Sequence, residues 1–316
     1  MIKFPHSVMF HHFHDNKKFN RTQGSLNQKN FLQVIDKIGI KNIISAQTFY
    51  EKMVNKKLTK NDVCLSFDDG LLCQYKIAYP VLKKLNIKAF WFIPSNIFER
   101  KPELLEIYSQ FRNTKFTHID DFYSVFFEDK LFQKNKKFNE FAKNNTTKIR
   151  SLNKKFPFYS HNDLFFRMIR DNFLDKENYQ KIMHRLMTKY MYDYKKEIKN
   201  YLLSKKNLIE MSKDKQVIGL HSHTHPTNIL NLKKIDQTKE YKKNFTILQK
   251  ISKEKIFSMS HPCGNYNQSI LNNLKKMGIK IGFRSNMKTE KNNKINKSNL
   301  EIAREDHANI FKKISS

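Results

Sequence analysis

Two pairs of residues stand out by their chemistry: the adjacent carboxylates Asp68 and Asp69, and the imidazoles His221 and His225, which are four positions apart. Two neutral imidazoles and one carboxylate are typical ligands of a catalytic divalent metal ion, because they leave coordination positions open for water and substrate. Water on such an ion becomes a nucleophile near neutral pH. Since neighbouring side chains at a strand end point in different directions, one aspartate can bind metal while the other acts as a general base.

Each pair follows an apolar run that is typical of a short buried strand. Residues 63–67 precede the two aspartates, and residues 216–220 precede the two histidines. A third apolar run, residues 256–260, leads into the segment 261–264, HPCG. Because the loops after parallel strands gather on one face of an α/β fold and form its site, the three segments are predicted to meet.

Both ends of the chain alternate between predicted strands and helices. Helical spacing of apolar residues predicts helices at residues 27–38, 46–54, 77–85, 239–251 and 269–277. Further strands are predicted at residues 7–10, 43–45, 88–93 and 280–284. Strand, helix and strand in this order form right-handed βαβ units, so the sequence indicates an α/β fold with a parallel sheet.

The middle of the chain, residues 101–206, differs from both ends. No glycine occurs between Gly70 and Gly219, and the segment is rich in Lys, Asn and Phe. Helical patterns cover residues 164–173 and 179–203. We interpret the segment as a mostly helical insertion between two parts of one α/β domain, residues 1–100 and 207–316. Its Phe residues are expected to form a local core; a lid or docking surface over the site is the alternative.

Two of the polar segments carry a family resemblance. Residues 66–70, SFDDG, resemble the S/T-F-D-D-G motif of the polysaccharide deacetylase family (NodB-homology, carbohydrate esterase 4), and residues 221–225, HSHTH, resemble its H-S/T-x-x-H motif. The resemblance implies a distorted (β/α)7 barrel that removes acyl groups, mostly N-acetyl, from amino sugars. It implies Asp68 as the general base. The implied metal ligands are Asp69, His221 and His225. Zn²⁺ is the expected ion, although cobalt, nickel and manganese also fit.

A third segment, residues 260–266, SHPCGNY, resembles the later P-Y/F-G motif of the same family. There the backbone N–H of the aromatic residue helps to bind the oxyanion, which the resemblance places on Cys263. A catalytic thiol at Cys263 is the alternative. We expect substrate contacts at His261, Pro262 and Gly264. The family arginine before this motif is absent, because His261 directly precedes the proline, so the sequence leaves open what orients Asp68.

The reaction also needs a general acid for the leaving amine, which the family commonly takes from a late L-x-H motif. No convincing copy of it occurs here. Residues 8–11, VMFH, instead resemble the opening of a subgroup with circularly permuted order, in which an N-terminal histidine approaches the metal. We therefore expect His11 to be the acid or a substrate contact, and His12 to bind substrate. The alternatives for the acid are His12, His14 and His307.

The composition is strongly basic. Lys and Arg total 60 against 29 acidic residues, which gives the 316-residue chain a net charge of +31. Such a balance favours anionic partners, although compositional drift explains it equally well. Together with the resemblance, it predicts an anionic N-acylated amino sugar as substrate, namely a nucleotide-linked or lipid-linked intermediate of surface polysaccharide biosynthesis. The Lys-rich helices also predict peripheral contact with the anionic inner face of a membrane.

Cysteine usage and apolar runs bear on the location. Three cysteines without a CxxC pair indicate neither a disulfide framework nor a zinc knuckle. The N-terminal sequence has no apolar stretch of signal-peptide length, and no run reaches the roughly 18 apolar residues of a membrane span. The expected location is therefore the cytoplasm.

Two other classes of function stay open. The basic charge and interleaved Phe and Lys suit a nucleic-acid-binding protein, but no module motif occurs and the Asp and His pairs would be unexplained, so no specific nucleic acid is expected. The other alternative is a catalytically degenerate family member that binds a glycan without turnover. The unusual third segment favours it, whereas the intact first two motifs count against it.

Overall fold

The computed structural model describes residues 4–22, 24–99, 104–155, 160–288 and 296–315. The chain divides into two compact units. The first contains Met1–Glu103 and Lys199–Ser316, and the second is Leu104–Ile198. The start of the insertion that the sequence predicts, at residue 101, lies outside the described residues.

Seven strands of the described residues form one parallel sheet in the first unit. They are β1 (His6–Phe10), β2 (Val63–Asp68), β3 (Phe90–Ile93), β4 (Val217–Leu220), β5 (Ser258–Ser260), β6 (Ile281–Phe283) and β7 (Arg304–Asp306). Their spatial order is β6-β5-β4-β3-β2-β1-β7. A parallel bridge also joins Phe283 of β6 to Ile302, two residues before β7, so the sheet curls into a nearly closed barrel. This confirms the predicted distorted (β/α)7 barrel.

Helices flank the strands of the first unit and make up the second. They are α1 (Gln28–Ile38), α2 (Ala46–Val54), α3 (Tyr79–Lys84), α4 (Leu105–Lys115), α5 (Ile119–Phe127), α6 (Lys136–Lys155), α7 (His161–Met168), α8 (Lys176–Lys189), α9 (Tyr194–Tyr201), α10 (Lys205–Lys213), α11 (Lys234–Ser252), α12 (Gln268–Lys276) and α13 (His307–Ser315). In the described ranges, no helix has the length and apolar character that crossing a bilayer requires.

Helix α1 shows how local sequence sets an element. Its buried residues recur with helical spacing and cover one face. They are Phe31, Val34, Ile35 and Ile38. The Asn27 side chain accepts a hydrogen bond from the Asn30 amide and so caps the first turn. Gly39 ends the helix at φ 86°, a conformation that residues with a Cβ rarely adopt.

Aromatic residues fill much of the core of the first unit. Phe67 of β2 stacks on Trp91 of β3 with ring centroids 4.2 Å apart, and on Phe10 of β1 at 5.2 Å. The Trp91 indole N–H and the Ala89 amide both donate to Oε1 of Gln216 at 2.9 Å. Gln216 therefore ties β3 to the start of β4, the two neighbouring strands between which the chain inserts its second unit.

The second unit has an aromatic core of its own. Phe122, Phe126 and Phe166 are fully buried, and the Phe126 and Phe166 rings lie 5.0 Å apart, edge to face. The Arg112 guanidinium lies over the Phe166 ring at 5.1 Å, a cation–π contact. The regular structure described in this unit is helical, as the Lys- and Phe-rich sequence predicts.

Two local predictions are wrong. Residues 43–45 form only a single bridge, from Ile43 to Val63, because the Ser45 side chain already caps α2 by accepting from the Thr48 amide. The helix predicted over 179–203 is interrupted between α8 and α9, where Met191 has a φ of 48°. A residue in that left-handed conformation cannot continue a right-handed helix.

Strand β7 and helix α13 have no counterpart in the sequence prediction. The three residues of β7 are Arg304, Glu305 and Asp306, so the strand has no apolar pattern to reveal it. Arg304 and Glu305 are nevertheless buried, because β7 pairs with β1 at the edge where the barrel closes.

Candidate active site

The two aspartates lie where β2 ends and the chain turns sharply. Asp68 is the last residue of β2, and Asp69 has a φ of 77°. Gly70 follows at φ 66°, and a Cβ there would lie only 2.8 Å from Cδ1 of Ile97. The backbone conformation favours glycine at this position, and an added Cβ would also require the Ile97 side chain to shift. The turn directs the two adjacent carboxylates to different partners.

The histidine segment follows β4, and its first residue is held by two hydrogen bonds. The His221 amide donates to Oδ1 of Asn244 at 2.9 Å, and its ring Nδ1 donates to the Ser260 carbonyl at 2.9 Å. A ring that donates through Nδ1 keeps the lone pair of Nε2 available for a metal ion. His225 turns back toward it, and the two Nε2 atoms are 3.1 Å apart.

Three donor atoms converge here on one point. Oδ1 of Asp69 lies 3.3 Å from Nε2 of His221 and 3.3 Å from Nε2 of His225. A tetrahedral ion with bonds of about 2.0–2.1 Å separates its ligand atoms by about 3.3 Å. The three side chains therefore fit a divalent metal ion. In the described part of the chain, no other group of three or more His, Cys, Asp and Glu side chains brings its donor atoms this close together.

The charges in this cluster favour a cation. Burial raises the pKa of Asp69, but the hydrogen bond with His221 and the charge of His225 outweigh it and hold that pKa below its ordinary value. Burial and the neighbouring His221 lower the pKa of His225 to about 4, which keeps this imidazole neutral. Burial lowers the pKa of His221, but the carboxylates of Asp68 and Asp69 outweigh burial, so this pKa lies above its ordinary value. The same two carboxylates that favour the protonated form of His221 would also attract a metal ion.

Asp68 faces a different set of partners. It is 1% exposed, and its Oδ1 accepts a hydrogen bond from Nη1 of Arg304 at 2.7 Å. Its Oδ2 accepts from the Ser260 hydroxyl at 3.2 Å and lies 3.7 Å from Nε2 of His221. Burial raises the pKa of Asp68, but the Arg304 guanidinium outweighs burial and holds it below the ordinary value. Asp68 is therefore a buried carboxylate that stays ionised beside the Asp69, His221 and His225 cluster.

Arg304 is the residue of this site that the sequence interpretation missed. It lies on β7, is 1% exposed, and its Nε donates to the Arg284 carbonyl at 2.7 Å. It supplies to Asp68 the positive charge of the arginine that is absent before Pro262, where His261 stands. The apolar residues 302 and 303 directly before it are the only local signal of a buried strand.

His11 follows β1 and lies at the edge of the cluster. Its Nε2 is 3.9 Å from Oδ2 of Asp68, and its side chain is 31% exposed. The ring therefore contacts solvent and also lies close to the buried Asp68 carboxylate. His12, the predicted substrate contact, is partly buried, and its Nδ1 lies 3.4 Å from the Tyr201 hydroxyl.

The two other histidines considered as acids are engaged elsewhere. His14 is buried, and its Nδ1 is 2.8 Å from the Ser25 hydroxyl. Both ring nitrogens of His307 lie against backbone carbonyls, Nδ1 at 3.1 Å from Met9 and Nε2 at 2.8 Å from Gly24. His307 thus connects β1 with the loop near Gly24, and its ring nitrogens are not directed at the cluster.

The third segment forms a tight turn after β5. Cys263 is exposed with a φ of 52°, Pro262 is buried, and Gly264 follows at φ 69°, where a Cβ would lie 2.2 Å from the Ser285 hydroxyl. The His261 ring is fully buried, stacks on Tyr266 at 4.1 Å, and lies with Nε2 2.9 Å from the Leu300 carbonyl. These contacts give His261 a place in the protein interior, whereas Cys263 faces solvent.

Comparisons with known proteins point in one direction. A family model described as polysaccharide deacetylase matches residues 55–119 and 172–282, more than half of the chain. No curated protein matches the sequence.

Solved structures share the fold. The deacetylase PplD of Streptococcus pyogenes, in complex with acetate, is 17% identical with a TM-score of 0.53, over 96% of this chain and 91% of that one. IcaB from Ammonifex degensii is 13% identical with a TM-score of 0.55, over 96% and 91%. A de-N-acetylase from Aggregatibacter actinomycetemcomitans is 14% identical with a TM-score of 0.54, over 96% and 95%. At these identities the likeness concerns the fold alone.

Proposed function

The chain belongs to the polysaccharide deacetylase family, and we propose that it is a metal-dependent hydrolase that removes an N-acetyl group from an amino sugar. The observation that carries this proposal is the triangle of Asp69, His221 and His225 donor atoms beside the ionised, buried carboxylate of Asp68. A metal site alone would suit many functions. Here a carboxylate that is not a metal ligand, Asp68, lies beside the metal site. Hydrolysis needs both, because the metal site can bind water and the free carboxylate can accept its proton.

Asp69, His221 and His225 would hold the ion, and Zn²⁺ is the metal we propose for this donor set. A divalent ion held by these residues would supply Lewis acidity, which makes an amide carbonyl more electrophilic and a water molecule more acidic. Asp68, kept ionised by Arg304, accepts the proton of the attacking water. Water adds to the carbonyl carbon, the C–N bond breaks, and the amine and acetate are released.

The remaining roles fall to residues at the rim of the cluster. We assign His11 as the acid that protonates the leaving amine, because its ring is partly exposed and lies within 3.9 Å of Asp68. The backbone N–H of Cys263 is assigned to the oxyanion, and the left-handed turn at Cys263 and Gly264 supports this assignment by setting the direction of that backbone. The Asp68 contact with Arg304 also favours turnover over a degenerate glycan-binding role.

The substrate we propose is an anionic, nucleotide-linked or lipid-linked amino sugar in the cytoplasm, with peripheral contact of the protein with an anionic membrane. The net charge of +31 supports this proposal. On α6, Lys136, Lys143 and Arg150 recur every seven residues and are exposed, so they form a basic stripe. Sedimentation with vesicles of neutral and of anionic lipid, together with cell fractionation, tests the membrane part. Binding that is equal on both vesicles would contradict it.

The experiment that tests the function compares wild type with Asp69→Ala and His225→Ala. Elemental analysis measures bound metal, and release of acetate is assayed with an N-acetylhexosamine, free and linked to a nucleoside diphosphate. We expect about one metal per wild-type chain, loss of metal and activity in both variants, and faster turnover of the anionic donor. His161→Ala, at an exposed histidine, is the matched control. A wild type that contains no metal, and whose acetate release does not change when zinc is added, would contradict the proposal.

A further inference from the structure

The loop between the two histidine ligands has an unfavourable backbone. Ser222 has a φ of 58° and His225 a φ of 50°, so two residues that carry a Cβ adopt the left-handed conformation within four positions. This conformation brings a Cβ close to the neighbouring carbonyl oxygen and is disfavoured for such residues. Within the loop, the His225 amide donates to the Ser222 hydroxyl at 3.1 Å. Contacts from outside the loop can stabilise this shape further.

The carboxylate of Glu240, on α11, supplies three such contacts. Its Oε2 accepts hydrogen bonds from the backbone amides of His223 at 2.9 Å and Thr224 at 2.8 Å. Its Oε1 accepts from the Thr224 hydroxyl at 2.9 Å. Hydrogen bonds to an ionised carboxylate are stronger than those between neutral groups. Glu240 therefore binds the middle of the loop through three donors, while the two ends carry the metal ligands.

Asn244 acts on the same loop from one turn further along α11. Its Oδ1 accepts from the His221 amide at 2.9 Å, and its Nδ2 donates to the Ile93 carbonyl at 2.9 Å. Residues four apart on a helix share one face, so α11 presents Glu240 and Asn244 side by side. The His223 carbonyl is fixed as well, because it accepts from the Asn96 amide at 3.0 Å.

We propose that Glu240 is a positioning residue of the metal site. Its carboxylate holds the loop in the strained shape that directs both Nε2 atoms toward Asp69, so the ligands are arranged before a metal ion binds. The inference rests on the proposed function only in taking Asp69, His221 and His225 as the ligands. Residues that orient metal ligands typically change metal affinity by roughly 10–100-fold when they are removed.

The test is a measurement of zinc affinity by competition with a chromophoric chelator. We expect Glu240→Ala to weaken zinc binding by roughly 10–100-fold. Glu240→Gln should weaken it only a few-fold, because the amide oxygen can still accept from both backbone amides. Glu301→Ala is the matched control, because that partly buried carboxylate accepts from the Ser298 hydroxyl and does not contact the loop. It should bind zinc as wild type does.

A second measurement needs no metal and no substrate. Hydrogen exchange of the His223 and Thr224 amides in the metal-free protein should be faster in Glu240→Ala than in wild type, and Glu240→Gln should restore most of the protection. A loss of zinc affinity caused by global unfolding would instead raise exchange throughout the barrel.

The outcomes separate the inference from the proposed function. If wild type and Glu240→Ala bind zinc equally well, the positioning role is overturned and the metal site stands. If wild type itself binds no divalent metal, the metal site and the role of Glu240 toward it both fall.

Discussion

The guanidinium of Arg304 lies 2.7 Å from Oδ1 of Asp68, although the two residues are 236 positions apart in the sequence. Both side chains are 1% exposed, so the ion pair is removed from water. Removing one member of a buried pair leaves an uncompensated charge and is strongly destabilising. The contact also keeps Asp68 ionised, and the proposed reaction requires Asp68 in that form.

Replacement of Arg304 should therefore affect both stability and rate. Arg304→Met should lower the free energy of unfolding at neutral pH by about 3–5 kcal/mol, because the Asp68 carboxylate loses its partner. It should also lower turnover, since burial alone raises the pKa of Asp68. Urea unfolding and an acetate-release assay measure the two effects. The double variant Asp68→Asn with Arg304→Met should recover part of the stability, and equal losses in single and double variants would refute the pairing.

The stability of the metal-free protein should depend on pH through His261. Burial lowers the pKa of this fully buried histidine to about 4, whereas the unfolded chain has the ordinary value near 6.5. Between these values the unfolded state binds a proton that the folded state does not, so stability falls as pH drops from 6.5 to 4. The contribution of His261 is on the order of 3 kcal/mol across this window.

Thermal unfolding at several pH values compares wild type with His261→Gln, which cannot titrate. The variant should lose less stability over this range than wild type does. His161→Gln, at an exposed histidine, controls for the substitution. An unchanged pH dependence in His261→Gln would show that the His261 ring does not resist protonation in the folded state.

Gln74 joins the strand ends that carry the proposed acid and base. Its Nε2 donates to the His11 carbonyl at 2.8 Å and to the Asp68 carbonyl at 2.6 Å. Both carbonyls lie one residue beyond Phe10 and Phe67, the last pair between β1 and β2. Gln74→Leu has a similar size and no donor, so we expect turnover to fall roughly tenfold with metal content unchanged. Gln47→Leu, on exposed α2 surface, is the control. Loss of metal along with activity would point to collapse of the site instead.

The sequence predicted that the segment with Asp68 and Asp69 meets the segment with His221 and His225, because each follows a clear apolar strand. Asp69 comes after β2 and His221 after β4, and parallel strands bring their carboxyl ends together. Arg304 escaped prediction because β7 is short and charged, so it has no apolar pattern. The interior position of His261 was also missed, since it depends on Leu300 and Tyr266, whose packing around the ring is a tertiary effect.

In the proposed reaction, Asp69, His221 and His225 bind the metal ion while Asp68 accepts the proton of the attacking water. Asp68→Asn tests this most directly, because it removes the base with little change in side-chain size and leaves the side chains of Asp69, His221 and His225 in place. It also leaves the buried Arg304 without its counter-charge, so urea unfolding must first show that the variant is folded under the assay conditions. Metal content and acetate release should be measured on the same samples of wild type and variant. We expect about one metal per chain in both proteins, with turnover lost only in the variant. Full activity in Asp68→Asn, or a wild type without metal, would contradict it.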